Sequence, residues 1–443
     1  HEQNSRFVLC ETSRGTLGVE VVAQDILRVF LGRETQYYFS KAVEADRHED
    51  CTFTVTEEGD TLVIATPALR LAVDAAGHAD FYTAAGKPLS LAWRGARGVI
   101  DRGLHDKDLL EKEGHKDAGS AAGLPVEELR ALLPDDAVYG LGDKPTVLNK
   151  RSYAYENWNS DIPDPHEECF KSLYKDFPVF FVSSAAAERT YGIFFDNTFH
   201  TYFDFGFESP DYLSFGAKEG ALNYYFFAGP TLREAVSRYT WLTGRAPLPQ
   251  RWALGYQQCR WGYASAEEFR ALARKFRELD IPLDALHFDI DYMDGYRVFT
   301  TNDKTFPDFP GLLAELKAQG IKAVTIIDPG VKVDPKYYVY QEGLQKGYFC
   351  KDKNDLVYVN EVWPGDSVFP DFGAPEVRGW WAGLQRFLTD RGVSGVWNDM
   401  NEPASFRGPL PDDVQMHDEE RLTTHAEMHN CFGHNMAKAS YEG

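Results

Sequence analysis

Short apolar, often β-branched runs punctuated by turn residues fill the first half of the chain. GVEVVAQDILRVFLG (residues 18–32), TFTVT, TLVIAT and LRLAVD are separated by Asp, Gly and Glu turn signals, and the pattern returns at residues 177–184, 191–195 and 222–227. Successive short strands at close spacing predict a sandwich or barrel. The polar stretch at residues 101–123 interrupts them and predicts a long surface insertion.

The pattern changes at PLPQR (residues 247–251). Beyond it, residues 253–257 predict a strand. Residues 265–279 predict a helix, opened by a capping box of Ser265 and Glu268, with Phe269, Leu272, Phe276 and Leu279 along one face. Strands are predicted at 283–290, 321–327 and 392–397, and helices at 311–319 and 375–390, the last with Val377, Trp381, Leu384 and Leu388 on one side. Strand–helix alternation implies right-handed parallel βαβ units. No Gly-x-Gly-x-x-Gly follows any strand, which favours a (β/α)8 barrel over a doubly wound dinucleotide fold. Four such units make half a barrel, and an open half leaves strand edges and an apolar interior uncovered. The expected organisation is an N-terminal antiparallel β-sandwich over residues 1–246. The first half of a TIM barrel follows over residues 247–443, with an inserted loop at about 334–372, truncated before the later strands.

Composition narrows the function. The 443 residues are 43% apolar and 14% aromatic, enough for a packed core. They carry 68 acidic against 46 basic side chains, a net charge of −22, which argues against binding nucleic acid through its phosphates. No apolar run approaches the roughly 18 residues of a membrane span, so no membrane role is expected. HEQNSRFVLC lacks the basic and apolar regions of a signal peptide. A cytoplasmic protein is expected, although a signal removed ahead of His1 would leave the same pattern. Six dispersed cysteines without a Cys-x-x-Cys pair predict reduced, mostly buried thiols and no zinc ribbon.

In such barrels functional side chains gather at the C-terminal ends of strands. Those ends carry Arg260 and Trp261, then Asp289, Ile290 and Asp291, then Asp328, then Trp397, Asn398, Asp399, Met400, Asn401 and Glu402, with Trp363 in the long loop after the third strand. Each Asp alone serves equally as a helix cap or turn residue, and recurrence at equivalent positions points to a site. Clustered carboxylates at a barrel mouth hold Mg²⁺ or act on sugars. The tryptophans favour sugar: a pyranose presents flat C–H faces to indole, and Asp accepts its hydroxyls.

The block GVWNDMNEPASF (residues 395–406) resembles the nucleophile signature of glycoside hydrolase family 31, the α-glucosidase family. ALGYQQCRWGY, FDIDYMDGYRVFT, FPDF, IIDPGV, VWPG and HNCFGHNMAKASYEG follow the family's order, and upstream YGLGDK and WNSDIP are similar to its sandwich domain. The resemblance implies a retaining, exo-acting α-glucosidase that releases glucose from non-reducing ends, with Asp399 as nucleophile. It implies sugar contacts from Asp289, Ile290, Ile327, Trp363, Trp397, Met400 and Trp261, and from Asp161 on a sandwich loop. Glu402 would orient its neighbours, and Asp328 and Asp291 divide between that task and a structural one. No cofactor and no metal are implied.

The family's acid/base Asp has no match here, and Asp412, Asp413, Asp418 and Glu419 lie in a polar loop unlike its motif. The resemblance thus also implies a partner, the C-terminal remainder of the enzyme. Transglucosidase, α-xylosidase or α-galactosidase activity in the same family, a metal-dependent barrel enzyme, and a non-catalytic glucan-binding half-barrel subunit remain as alternatives.

Overall fold

The computed structural model describes residues 1–45, 47–98 and 124–443, so the predicted insertion at 101–123 lies outside the described residues. The chain divides into two units, His1–Ala246 and Pro247–Gly443.

The first unit is built from three antiparallel sheets. The largest has eight strands in the order Glu2–Gln3, Phe7–Thr12, Gly15–Ala23, Ile26–Leu31, Asn223–Ala228, Arg189–Phe195, Asp176–Ser184 and Ala137–Gly142. A four-stranded sheet joins Val126–Ala131, Tyr212–Ala217, Thr201–Asp204 and Ala154–Asn157, and a five-stranded meander runs from Thr54 to Ser90. One core takes side chains from all three, including Val19, Ile64, Phe81, Phe203, Phe215 and Phe226. The helix Leu232–Thr243 covers the other face of the large sheet through Ala235 and Leu242, against Val179, Phe181 and Phe227. Burial on both faces explains why its central strands, such as NYYFFA, read as continuous apolar runs. Packing between neighbouring strands is close enough that a Cβ on Gly18 would fall within the Phe30 ring.

A buried ion pair fixes the irregular segment between Ala154–Asn157 and Asp176–Ser184. Lys144 and Asp176 are paired with almost no exposure of either side chain. Asp176 also accepts from the Trp158 amide at 2.7 Å and from the Ser172 hydroxyl, while the Lys144 ammonium donates to the Glu156 carbonyl at 3.0 Å. Both ends of the segment are thereby tied to one point.

The second unit carries a four-stranded parallel sheet: β1 (Gln257–Gln258), β2 (Ala285–Phe288), β3 (Lys322–Ile327) and β4 (Gly395–Asn398), hydrogen-bonded in that order. Its connections carry α1 (Ala266–Glu278), α2 (Phe309–Ala318), α3 (Tyr338–Lys346) and α4 (Pro375–Leu384), and α5 (His425–Glu442) ends the unit. Ser265 caps α1 by accepting the Glu268 amide at 3.3 Å; the Glu268 carboxylate reaches back to the Ala264 amide at 2.6 Å, one residue earlier than a capping box requires. Phe269 stacks on Phe288 at 3.8 Å, and Phe288 meets Phe309 edge-on at 5.4 Å, so α1 and α2 share one face of the sheet.

Four expectations need correction. The strand predicted at 253–257 shrinks to β1, because Ala253 and Gly255 donate to Gln250 and Trp252 in successive tight turns of a 3₁₀ helix, Arg251–Leu254. The helix predicted over 375–390 breaks after Leu384 and resumes as Arg386–Thr389, with Gln385 buried at the break. The inserted loop at 334–372 is ordered. It holds α3 and a hairpin, Val359–Val362 with Gly365–Val368, that pairs with Val331–Lys332, because Phe349, Cys350, Val362, Val368 and Phe369 bury in the unit's core. Of the six cysteines, only Cys350 and Cys431 are buried.

Candidate active site

Register decides which side chains share a face. Phe288 pairs with Thr325, Ile326 with Trp397, and Ile327 with Asn398. Paired residues on parallel strands project to the same side, and sides alternate along each strand. One side therefore bears His287, Asp289, Ile326, Asp328, Trp397 and Asp399. His287 confirms the assignment, bonding the Gln257 side chain at 2.8 Å and meeting the Trp397 ring at 6.1 Å. The opposite side carries Phe288, Ile327 and Asn398 and faces the helices; the Ser440 hydroxyl of α5 donates to the Asn398 side chain at 2.7 Å.

The three strand ends bring their carboxylates together. Asp289 follows β2 and caps a single 3₁₀ turn, Ile290–Tyr292, accepting the Ile290 amide at 2.7 Å. The Tyr292 hydroxyl donates to the Ile326 carbonyl at 2.9 Å and fastens this turn to β3. Asp399 follows β4, and its amide donates to the Ile327 carbonyl at 3.2 Å. Burial raises the Asp289 carboxyl above its usual range; the Ile290 amide opposes this, and the charges of Asp399 and Asp291 add to it. Asp328 is pushed well above the usual range by burial first, then by Asp399, Asp289 and Glu402.

The other predicted residues fall around this cluster or apart from it. Ile290 and Ile327 are buried in the core of the unit. Met400, 9% exposed, adopts φ 54°, a left-handed conformation that a branched or long side chain rarely takes and that recurs at functional sites. Glu402 is buried close behind it. Asp291 accepts from the Tyr296 hydroxyl at 3.4 Å, and its carboxylate lies against Gly262, whose chain neighbour Trp261 is two-thirds exposed. Trp363, at the tip of the inserted hairpin, packs edge-on against Phe406 at 4.8 Å. Bonds from Arg407 to Glu361 at 2.8 Å and to Asp366 at 2.6 Å tie that hairpin to the segment after Asp399. Asp161 lies in the first unit, in the segment held by Lys144 and Asp176.

Three of the four carboxylates of the polar loop are engaged elsewhere: Glu419 with Arg378 and Asp418 with Arg421, both at 2.8 Å, and Asp413 with Lys353 at 3.7 Å. Among the described residues, no group of three or more His, Cys, Asp or Glu is arranged to hold a metal ion, and no helix is long and apolar enough to cross a membrane. Two neighbours of the cluster escaped the sequence reading. His287 was findable by stepping back two residues from Asp289. The Cys259 thiol, exposed just past β1, is raised by partial desolvation and then by the charges of Asp289 and Asp399, a proximity that only the tertiary structure reveals.

An antiparallel sandwich followed by a parallel β/α sheet, with carboxylates and indoles at its C-terminal edge, defines the framework of a carbohydrate-active barrel protein. The chain belongs to glycoside hydrolase family 31: residues 16–204 match the glycosyl hydrolase 31 N-terminal galactose mutarotase-like domain, and residues 246–443 the glycosyl hydrolases family 31 TIM-barrel domain. It is 48% identical over 338 residues to alpha-glucosidase 2 of Bacillus thermoamyloliquefaciens, covering 76% of this chain and 42% of that protein. It is 32% identical over 304 residues to an alpha-glucosidase of Saccharolobus solfataricus, covering 67% and 43%. The structure of a Flavobacterium johnsoniae GH31 dextranase complexed with glucose superposes with a TM-score of 0.83 at 28% identity, covering 99% of this chain and 53% of that one. The chain thus spans about two fifths to one half of the length of these relatives.

Proposed function

We propose that this chain contributes the nucleophile and part of the sugar pocket of a retaining, exo-acting α-glucosidase. The observation that carries this reading is the position of Asp399, one residue beyond β4, on the same side of the sheet as Asp289, Asp328 and Trp397. The family and the names of the two α-glucosidase relatives support it. In the first step a carboxylate oxygen of Asp399 attacks C1 of a terminal α-glucosyl unit. The C1–O bond breaks, and the departing oxygen takes a proton from an acid outside these 443 residues. In the second step water attacks C1 of the β-glucosyl ester, gives its proton to that same group, and returns Asp399 as a carboxylate with α-glucose released. Asp289 would accept sugar hydroxyls, as a carboxylate does through charge-assisted bonds. Trp397, Trp363, Trp261, Ile290 and Met400 would bound the ring, whereas Ile327, on the side that faces the helices, would support them from behind. The substrate is then an α-glucoside or oligosaccharide, and the required partner is the rest of the catalytic domain.

The test uses the enzyme containing that remainder and a 5-fluoro-α-glucosyl fluoride, whose good leaving group favours ester formation over its hydrolysis. Mass analysis is expected to find the sugar on the peptide containing Asp399, and natural substrate is expected to yield the α-anomer first. Label on another residue, or initial release of β-glucose, overturns the reading.

A further inference from the structure

Displacement at C1 leaves one carboxyl of the cluster without a task. Asp328 follows β3 just as Asp399 follows β4. The ladder's last pair is Ile327 with Asn398, closed by the bond from the Asp399 amide to the Ile327 carbonyl, and Asp328 and Asp399 are the next residues on their two strands, where a further rung would stand. Neighbours on such a rung lie about 5 Å apart between strands and project to the same side. Asp328 is 4% exposed, and its Oδ1 is sealed from solvent with no hydrogen-bond partner among the described residues.

The groups facing it come from each adjoining element. Asp399 and Glu402 follow β4, Asp289 follows β2, and Tyr292 stands on the 3₁₀ turn with its hydroxyl committed to the Ile326 carbonyl. The charges acting on Asp328 are all of one sign. An ionised Asp328 would stand beside Asp399 in a water-poor site, where like charges repel strongly. A neutral Asp328 instead carries an O–H donor, and a carboxylate is the strongest acceptor nearby.

We propose that Asp328 is a positioning residue for Asp399, keeping its proton throughout the cycle and donating it as a hydrogen bond to the Asp399 carboxylate. The bond occupies one oxygen of Asp399 and leaves the other directed at C1. It is strongest when Asp399 bears its full charge and weakens while Asp399 is esterified, so it favours departure of Asp399 from the sugar in the second step. This inference rests on the reading of Asp399 as nucleophile.

The experiment compares Asp328→Asn, which keeps an N–H donor without charge, with Asp328→Val, which keeps the bulk and loses the donor. Both are made in the enzyme containing the rest of the catalytic domain. Labelling by 5-fluoro-α-glucosyl fluoride and recovery of activity from the label are timed separately, and kcat and KM are measured on an α-glucoside. Asp328→Asn is expected to stay within about threefold of wild type in recovery. Asp328→Val is expected to recover about ten- to a hundredfold more slowly, with kcat and KM falling together as the ester accumulates. Equal behaviour of the two variants, or a raised KM at unchanged kcat, overturns the inference. Asp328→Ala replaces Asp328→Val should the latter not fold. Failure of Asp328→Asn to fold also overturns it, because an amide replaces a neutral acid without changing charge. If wild-type label does not land on Asp399, it is the nucleophile assignment that falls.

Discussion

The Asp399 amide donates to the Ile327 carbonyl at 3.2 Å, closing the last pair of the β3–β4 ladder, Ile327 with Asn398. Asp399 is thus held by the sheet backbone before its chain turns away at Met400. Its side chain can be changed without removing that bond. If Asp399 is the nucleophile proposed above, Asp399→Ala in the enzyme containing the rest of the catalytic domain is expected to lower kcat by several orders of magnitude with an unaltered circular dichroism spectrum and Tm, since loss of a covalent nucleophile acts on the reaction barrier. Turnover within tenfold of wild type would remove Asp399 from the mechanism.

The Lys144–Asp176 pair makes a prediction about the first unit. Lys144→Met leaves the Asp176 carboxylate buried and uncompensated, which costs about 3–5 kcal/mol. The double substitution Lys144→Met/Asp176→Leu is expected to recover much of that loss, because two buried charges are then replaced by apolar bulk. Chemical denaturation of the single and double variants reads the difference. Equal destabilisation of both would show that the pair's other bonds, to Trp158, Ser172 and Glu156, matter more than the charges.

Gly373 borders the Gln415–Asp418 strand so closely that a Cβ would collide with the His417 carbonyl oxygen. That neighbour is backbone and cannot rotate aside. Gly373→Ala is expected to destabilise the second unit by about 1–3 kcal/mol through overpacking. A Tm equal to that of wild type would mean the Gln415–Asp418 strand shifts at no cost.

His425, the first residue of α5, is depressed by burial to about 4, against the partly opposing effect of the Pro411 carbonyl. An unfolded chain takes up this proton near pH 6.5, whereas the folded one resists until about pH 4. Stability attached to this group is therefore present above pH 6.5 and falls between pH 6.5 and 4, by at most about 1.4 kcal/mol per pH unit. His425→Gln is expected to flatten that slope in denaturation midpoints measured from pH 7 to 4.5. An unchanged slope would assign the dependence to other groups.

The two architectures were legible because each writes its own period into the chain. Short apolar runs between turn residues marked the strands of the first unit, and the spacing of Phe269, Leu272 and Phe276 marked α1. The errors fell where local pattern and local hydrogen bonding disagree. Residues 253–257 have strand composition, yet their amides close tight turns. Residues 334–372 look like a loop because each piece is short, and they become ordered by burying Phe349 and Phe369 in a core assembled from distant segments. Leu279 belongs to the apolar face of α1 by spacing but is 54% exposed, since the helix ends at Glu278 before that turn can pack.

By itself, the order of residues determined which chemical groups stand at the strand ends: Asp289, Asp328 and Asp399, with Trp397 two places before the last. Only the tertiary structure decided that these carboxyls share one side of the sheet and that Asp328 and Asp399 both stand next after the last pair of the β3–β4 ladder. It also showed that His287 and Cys259 border the same cluster. The reason is physical. Side-chain direction within a strand follows from a period of two, but register between strands depends on bonds joining residues about seventy positions apart, such as Ile327 and Asn398.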